Sequence, residues 1–149
     1  MSSKQRCETY GCKRYAIEDL IYCRRCAANN NIELDWSKLP NSNYIYFLYA
    51  PSENLIKIGR TKNLKRRLRI LELENATKVK VELSFNHQPE LEQMLHEYFA
   101  QDRQHGEWFK YSESIKFFIK TFKEYGDKSL LLIYDYLEWY KFRNLTRPY

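Results

Sequence analysis

Nowhere among the 149 residues does an apolar run approach the roughly 20 residues that a bilayer-spanning helix needs. The start, Met1-Ser2-Ser3-Lys4, is polar and lacks the pattern of a secretory signal, so the expected location is intracellular. Cysteine is missing from everything beyond residue 26. The four that exist crowd into one short segment, as Cys7-x4-Cys12, ten intervening residues, then Cys23-x2-Cys26.

Two close pairs joined by a short loop suit a tetrahedral Zn²⁺ site, each pair supplying two thiolates. Gly11 before Cys12 can take the positive φ of a tight metal-binding turn. Two disulfides in an exported mini-domain are the alternative, and the lack of an export signal argues against them. So small a segment needs a staple to fold. Four thiolates also leave no open position on the metal, so the zinc is expected to be structural. The pattern resembles treble-clef or ribbon-like zinc fingers, with the second cysteine pair opening a short helix at Arg24–Asn29. Lys4, Arg6, Lys13, Arg14, Arg24 and Arg25 surround the ligands; the module is expected to add phosphate contacts or to grip a protein partner.

What the chain does have is positive charge and aromatic rings. Its 25 Lys and Arg against 19 Asp and Glu give a net charge of +6 and a pI near 9.1, favouring a polyanionic partner, nucleic acid before membrane. Aromatics make up 16%, including 13 tyrosines, which either pack or contact a ligand. Hydrophobic residues at 44% suffice for a modest core. The length accommodates one ordinary domain and one small one. Residues 1–30 read as the zinc-finger module, 31–43 as a polar linker through Asn31 and Pro40, 44–118 as the main domain and 119–149 as a C-terminal helical extension.

The main domain opens with Tyr44-Ile45-Tyr46-Phe47-Leu48-Tyr49, a turn at Pro51–Asn54, and Leu55-Ile56-Lys57-Ile58-Gly59. Two β-prone runs around such a turn form a hairpin. Counting outward from Ala50 opposite Leu55 puts Leu48 opposite Lys57 and Tyr46 opposite Gly59. Tyr44, Tyr46 and Leu48 then share a face with Lys57 and Gly59, and Gly59 leaves open space beside Tyr46. Thr61 or Asn63 caps the next helix, whose apolar face is Leu64, Leu68 and Leu71. Arg67 sits at the edge of that stripe and leans over the sheet; Lys65, Arg66 and Arg69 point outward as phosphate contacts or as a solvated helix face.

Val79, Val81, Leu83 and Phe85 alternate with polar residues as a third strand with one buried face. Pro89 starts a helix with the stripe Leu91, Met94, Leu95, Tyr98 and Phe99. Glu92 borders that stripe with His96 one turn on, either a surface pair or a place to hold a divalent ion or orient water. Gly106-Glu107-Trp108-Phe109 reads as a turn leading to an aromatic anchor, with Glu107 facing either the site or solvent. Helices at Ser112–Tyr125 and Lys128–Phe142 flank a break at Gly126-Asp127. The second has too many apolar residues for one stripe, so burial on more than one side is expected, against the sheet or in a homodimer. A tail follows from Arg143 to Tyr149 and includes Arg147.

Together these landmarks resemble the GIY-YIG nuclease superfamily: Tyr44-Ile45-Tyr46, then Lys57-Ile58-Gly59, Arg67 eight residues after the glycine, and Glu92 within Leu91-Glu92-x2-Leu95-His96. The similarity is strongest to a phage and bacterial DNA-binding branch with a Lys-Ile-Gly second motif, a Leu-His pair and a Glu-Trp-Phe-like end. It covers about half the chain, excluding the cysteine module and the C-terminus. The resemblance implies a metal-dependent endonuclease acting on DNA through a metal-activated water. Tyr46 would help deprotonate that water, Arg67 would stabilise charge on the phosphate, Glu92 would hold one Mg²⁺ or Mn²⁺, and Gly59 would keep the strand end open for the phosphate. Lys57 and His96 would complete the catalytic set, and Arg60, Lys62, Lys65, Arg66 and Arg69 would bind substrate beside Gly59. Two motif positions depart from the family: Tyr44 stands for the first motif's glycine and Lys57 for the second motif's tyrosine. Glu107 or His96 lies in the region of the family's late asparagine.

The sequence thus predicts an α/β (α+β) fold with a small antiparallel three-stranded sheet, flanking helices, an N-terminal zinc module and C-terminal helices. The alternatives to the endonuclease are a non-catalytic DNA-binding protein on the same fold and a zinc-dependent protein-interaction adaptor. The expected compartment is the cytoplasm of a bacterial or virus-infected cell, or a eukaryotic nucleus.

Overall fold

The computed structural model describes residues 4–17, 22–30, 32, 34–39, 41–74 and 78–146, with backbone alone at 142 and 144–146. Asn31, Pro40, Arg147 and Tyr149 from the expected linker and tail lie outside the described residues. A mixed α/β architecture emerges, built on a five-stranded antiparallel sheet. Strand β1 (Asn43–Ala50) and β2 (Leu55–Thr61) form the hairpin, and β3 (Lys80–His87) pairs with β1 on its other side. Two three-residue strands, β4 (Arg103–His105) and β5 (Trp108–Lys110), extend the sheet beyond β2, giving the order β3-β1-β2-β5-β4. The sequence predicted three strands; β4 and β5 are too short to show an alternating pattern, and Gly106 at φ +53° turns one into the other.

The hairpin register agrees with the outward count: Ala50 faces Leu55, Leu48 faces Lys57 and Tyr46 faces Gly59. Asn54 closes the turn at φ +54°, a conformation asparagine tolerates better than most residues. Helix α2 (Leu64–Glu74) covers one sheet face. Leu64, Leu68 and Leu71 pack there on Tyr46, Leu48, Val79 and Val81. Of the two capping candidates Asn63 is the cap, accepting from the Arg66 amide at 3.0 Å, while Thr61 Oγ1 accepts from the Asn63 amide at 3.2 Å and steadies the turn before the helix.

The opposite face, with Ile45, Phe47, Ile56, Ile58 and Leu83, packs beneath α3 (Glu90–Tyr98), α4 (Glu113–Tyr125) and α5 (Leu131–Thr146). The expected single face for Val79, Val81, Leu83 and Phe85 is not what forms. Phe47 pairs with Leu83 but Leu48 pairs with Val81, so β3 bulges at Glu82. One extra residue flips the alternation. Val79 and Val81 thereby join the α2 side, while Leu83 and Phe85 join the larger core. Residue 118 falls within α4, whose Phe118, Ile119 and Phe122 belong to that core.

Helix α5 also departs from expectation. It buries one stripe, Ile133, Tyr134 and Leu137, and exposes Leu132, Tyr136, Trp139 and Tyr140. Its apolar count is high, but only the positions three and four apart meet the core. Residues Lys128–Leu130, predicted as its start, lie in a 3₁₀ turn at Gly126–Leu130.

The N-terminal module ends in α1 (Arg24–Asn29), which begins where the second cysteine pair predicts. It docks on α5 through charge. Arg14 forms a two-pronged pair with Glu138, its Nε at 2.6 Å, and Arg25 meets Asp135 at 2.7 Å. The linker docks too: Trp36 is buried, stacks on His87 with centroids 3.9 Å apart, and donates from Nε1 to Asp127.

Candidate functional site

Tyr46 and Gly59 are the cross-strand pair at the centre of the site. The expected open space beside Tyr46 is absent, because the tyrosine ring fills it. A Cβ at residue 59 would stand 2.4 Å from Tyr46 Oη and 2.5 Å from Cζ. Glycine is thus required here by the close approach of the phenol. Arg67 donates from Nε to Tyr46 Oη at 3.4 Å, so it does lean over the sheet from the flank of α2. Burial pushes the Tyr46 phenol above its ordinary pKa, with Arg67 opposing.

Beyond Ile58, β2 has an open outer edge, since β5 pairs only with Leu55, Ile56 and Lys57. The Ile58 amide donates to the Glu107 carbonyl at 3.1 Å, and the Ile58 carbonyl lies 2.7 Å from His96 Nε2. His96 is therefore a buried strut between α3 and β2, its ring tilted against Phe109. Burial holds its pKa down, and with Nε2 directed to the Ile58 carbonyl that nitrogen is not turned to a ligand. Glu92, one turn earlier, places Oε1 3.8 Å from the same Nε2 and pairs with Arg60 Nε at 3.0 Å. Its carboxyl is held above the usual range by burial first and by the neighbouring Glu107 carboxylate second, with Arg60 and Lys57 opposing.

Glu107, which the sequence allows to face either the site or solvent, faces the site. Its Oε2 sits 3.3 Å from Lys57 Nζ, and Lys57 is itself buried and 5.5 Å from the Trp108 ring centroid. Two neighbouring carboxylates thus each have a cation of their own along the edge. Lys57 is tied to Glu107, and Arg60 is tied to Glu92. The position of Glu107 follows from β5 joining β2, and the shortness of β5 is what hid it from the sequence.

Around this edge, Lys62, Lys65, Arg66 and Arg69 are exposed, while Arg67 is half-buried. Arg60, expected among the substrate contacts, is engaged with Glu92. Two arginines of the cysteine module, Arg14 and Arg25, are engaged as well, as docking clamps to α5.

The thiol atoms of Cys7, Cys12, Cys23 and Cys26 lie within 4.8 Å of one another. Cys12 and Cys23 Sγ are 3.9 Å apart. A tetrahedron with Zn–S bonds of about 2.3 Å has edges of about 3.8 Å, whereas a disulfide would need about 2.05 Å. All four are free thiols. Burial raises the pKa of Cys23 and Cys26, so holding all four as thiolates needs a cation among them. The donor set fits a structural metal such as zinc. Local folding supports it: the Arg6–Tyr15 bridge brings the first pair round, Gly11 turns at φ +77°, and Cys23 Sγ accepts from the Cys26 amide at 3.4 Å.

Among the described residues no helix is long and apolar enough to cross a membrane. Neither a curated protein nor a solved structure gives a significant match. A family scan matches the T5orf172 domain over residues 43–125, the span from β1 through α4 that carries Tyr46, Lys57, Arg67, Glu92 and Glu107. That match spans more than half of the chain, which therefore belongs to the T5orf172 domain family, a phage-associated, nuclease-related group.

Proposed function

We propose that the chain is a metal-dependent DNA endonuclease of the GIY-YIG type, hydrolysing phosphodiester bonds at the open edge of β2. The observation that carries this reading is the gathering of Tyr46, Arg67, Glu92 and Glu107 around Gly59. Arg67 spends one donor on Tyr46 and keeps the rest of its five N–H groups for a phosphate oxygen, where they offset developing negative charge. Tyr46 stays a neutral phenol at neutral pH and can hold a water through Oη. Were it to lose its proton, Arg67 is placed to offset the phenolate.

Glu92 and Glu107 would hold the divalent cation. Two neighbouring carboxylates, one with its pKa raised by burial and by the other, are a pair that such a cation relieves. Bound there, Mg²⁺ or Mn²⁺ supplies Lewis-acid polarisation of phosphate and water. Lys57 keeps Glu107 turned toward Glu92 and can direct its remaining ammonium protons to phosphate. The exposed Lys62, Lys65, Arg66 and Arg69 contribute sequence-independent backbone contacts. Four thiols closing on zinc suit a reducing cell interior, which is where this reading puts the protein.

A second reading, DNA binding without cleavage, is favoured by one observation: a lysine tied to Glu107 stands where the related motif has a tyrosine. Incubation with supercoiled, linear and branched DNA and Mg²⁺ or Mn²⁺ separates the two. Metal-dependent nicking by the wild type, lost in Arg67→Ala and Glu92→Ala, is the expected result. Nicking that survives both substitutions refutes the catalytic assignment, and salt-sensitive binding without nicking selects the second reading.

A further inference from the structure

Between the cysteine module and the α3/α5 pair lies a cleft of about 320 Å³ that the site above does not use. Arg14, Arg24, Arg25 and Lys141 bring four cations to its lining, against one carboxylate, Glu138. Arg14 is paired with that carboxylate and Arg25 with Asp135, so these two fasten the module to α5. Arg24 and Lys141 remain, with no carboxylate partner among the described residues. Arg24 directly precedes the clamped Arg25 on α1, its guanidinium over the Tyr134 ring at 5.4 Å from the centroid. Lys141 lies one turn beyond Glu138 on α5 and is exposed. Gln88 adds an amide to the same wall.

We propose that this cleft binds a phosphate of a nucleic-acid backbone, as an anchoring point separate from the β2 edge; it rests on the DNA reading above. A guanidinium at cation–π range of an aromatic ring keeps N–H donors available, and their fork matches phosphate oxygens. Tyr15, on the rim of the cleft, carries Lys4 and Arg6 over its ring at 5.5 and 4.4 Å. Positive charge therefore continues along the rim, which suits a repeating polyanion better than a single carboxylate. The cleft lies on the opposite flank of α3 from the proposed cleavage site. Met94 lines it, and two residues along a helix set Met94 about 160° from Glu92. The cysteine module acquires a purpose by this assignment. Its metal core shapes α1, α1 presents Arg24, and the two ion pairs hold Arg24 against α5.

The test is DNA affinity of the zinc-loaded full chain as a function of salt, read by anisotropy of a labelled duplex without added divalent cation. Replacing both of these cations, Arg24→Gln with Lys141→Gln, is expected to reduce the salt slope by about 1–2 and weaken binding about tenfold at moderate salt, with zinc content unchanged. Lys141→Glu alone, at an exposed position, is expected to act in the same direction and keeps the test decisive should Arg24→Gln lose zinc. A wild-type slope in these variants overturns the cleft assignment, while binding that falls in Lys65→Ala/Arg66→Ala shows that the DNA reading still stands. Inorganic phosphate or polyglutamate captured through Arg24, with the DNA slope unchanged, also overturns it. A wild type that binds no DNA under any salt condition removes the DNA reading and the cleft together.

Discussion

Adding a single methyl group at Gly59 tests the centre of the site. The new Cβ would meet Tyr46 Oη at 2.4 Å, Cζ at 2.5 Å and Cε2 at 2.9 Å. Restoring an ordinary separation of about 3.5 Å requires a movement of about 1 Å. The ring is rigid, and Tyr46 is 1% exposed, packed with Leu48 and Leu71. Gly59→Ala should therefore cost about 1–3 kcal/mol, the range for an overpacked core. For a chain of this length that lowers Tm by about 2–4 °C per kcal/mol. Any shift of the phenol also breaks its contact with Arg67, and a 1 Å misplacement of a catalytic group costs about 10²-fold in rate. The assay is a double-mutant cycle by thermal melting, with cleavage measured alongside. On a Tyr46→Val background the clash has no ring to strike, so the cost of Gly59→Ala should shrink by about 1–3 kcal/mol. Equal costs on both backgrounds, or an unchanged Tm for Gly59→Ala, would refute the close-contact argument.

The same structure fixes several other outcomes. His87 is buried and is held down to about pKa 3 by burial, with Arg24 adding and the Gln88 backbone opposing. The unfolded chain takes up this proton below its ordinary pKa of 6.5 while the folded chain does not. Stability is thus fully present above pH 6.5 and falls as pH drops toward 3, by about 2 kcal/mol at pH 5. His87→Phe should remove that component of the urea-melt pH dependence, and a variant that keeps it refutes the assignment. Metal analysis should find one zinc per chain; a strong chelator or Cys26→Ser should unfold the module, and thiols that stay protected after chelation would contradict this. Glu92→Gln should abolish metal-dependent nicking yet leave Tm unchanged or raised, because it removes the repulsion with Glu107. Lys57→Met should carry the acidic limb of the nicking profile to higher pH, since Lys57 opposes the upward shift of Glu92; an unmoved limb counts against that coupling.

How legible the molecule was in its sequence depended on distance along the chain. The hairpin register could be counted because a four-residue turn at Pro51–Asn54 fixes every pair beyond it. The start of α1 followed from Cys23 and Cys26, which must sit on one turn to share a metal. Arg67 could be placed over the sheet from helical spacing, since α2 follows directly on β2, and the hairpin register supplied the face that Tyr46 shares. Three features stayed hidden for physical reasons. The bulge at Glu82 leaves an unbroken alternation in the sequence, and only the need to cover both sheet faces shows where it breaks. The stripe that α5 buries is set by what packs on it, not by its own apolar count. Arg14 meets its carboxylate 124 residues away, a pairing that no local pattern encodes.

Lys57 changes meaning once Glu107 is in view. A tyrosine at this position would leave Glu107 beside Glu92 with only Arg60 close by to balance two carboxylates. An ammonium 3.3 Å from Glu107 restores one cation for each carboxylate. The departure from the related motif is thus coupled to a second residue fifty positions later, and the two form one device. Lys57 is the buried member of the pair and Glu107 the partly exposed one, so losing the glutamate alone would leave a buried ammonium without its partner. The lysine and the glutamate therefore have to be exchanged together. In the nuclease reading, that pair also keeps Glu107 aimed at the place where Glu92 would share a cation. A phenol could donate a hydrogen bond to that carboxylate but has no charge to balance it.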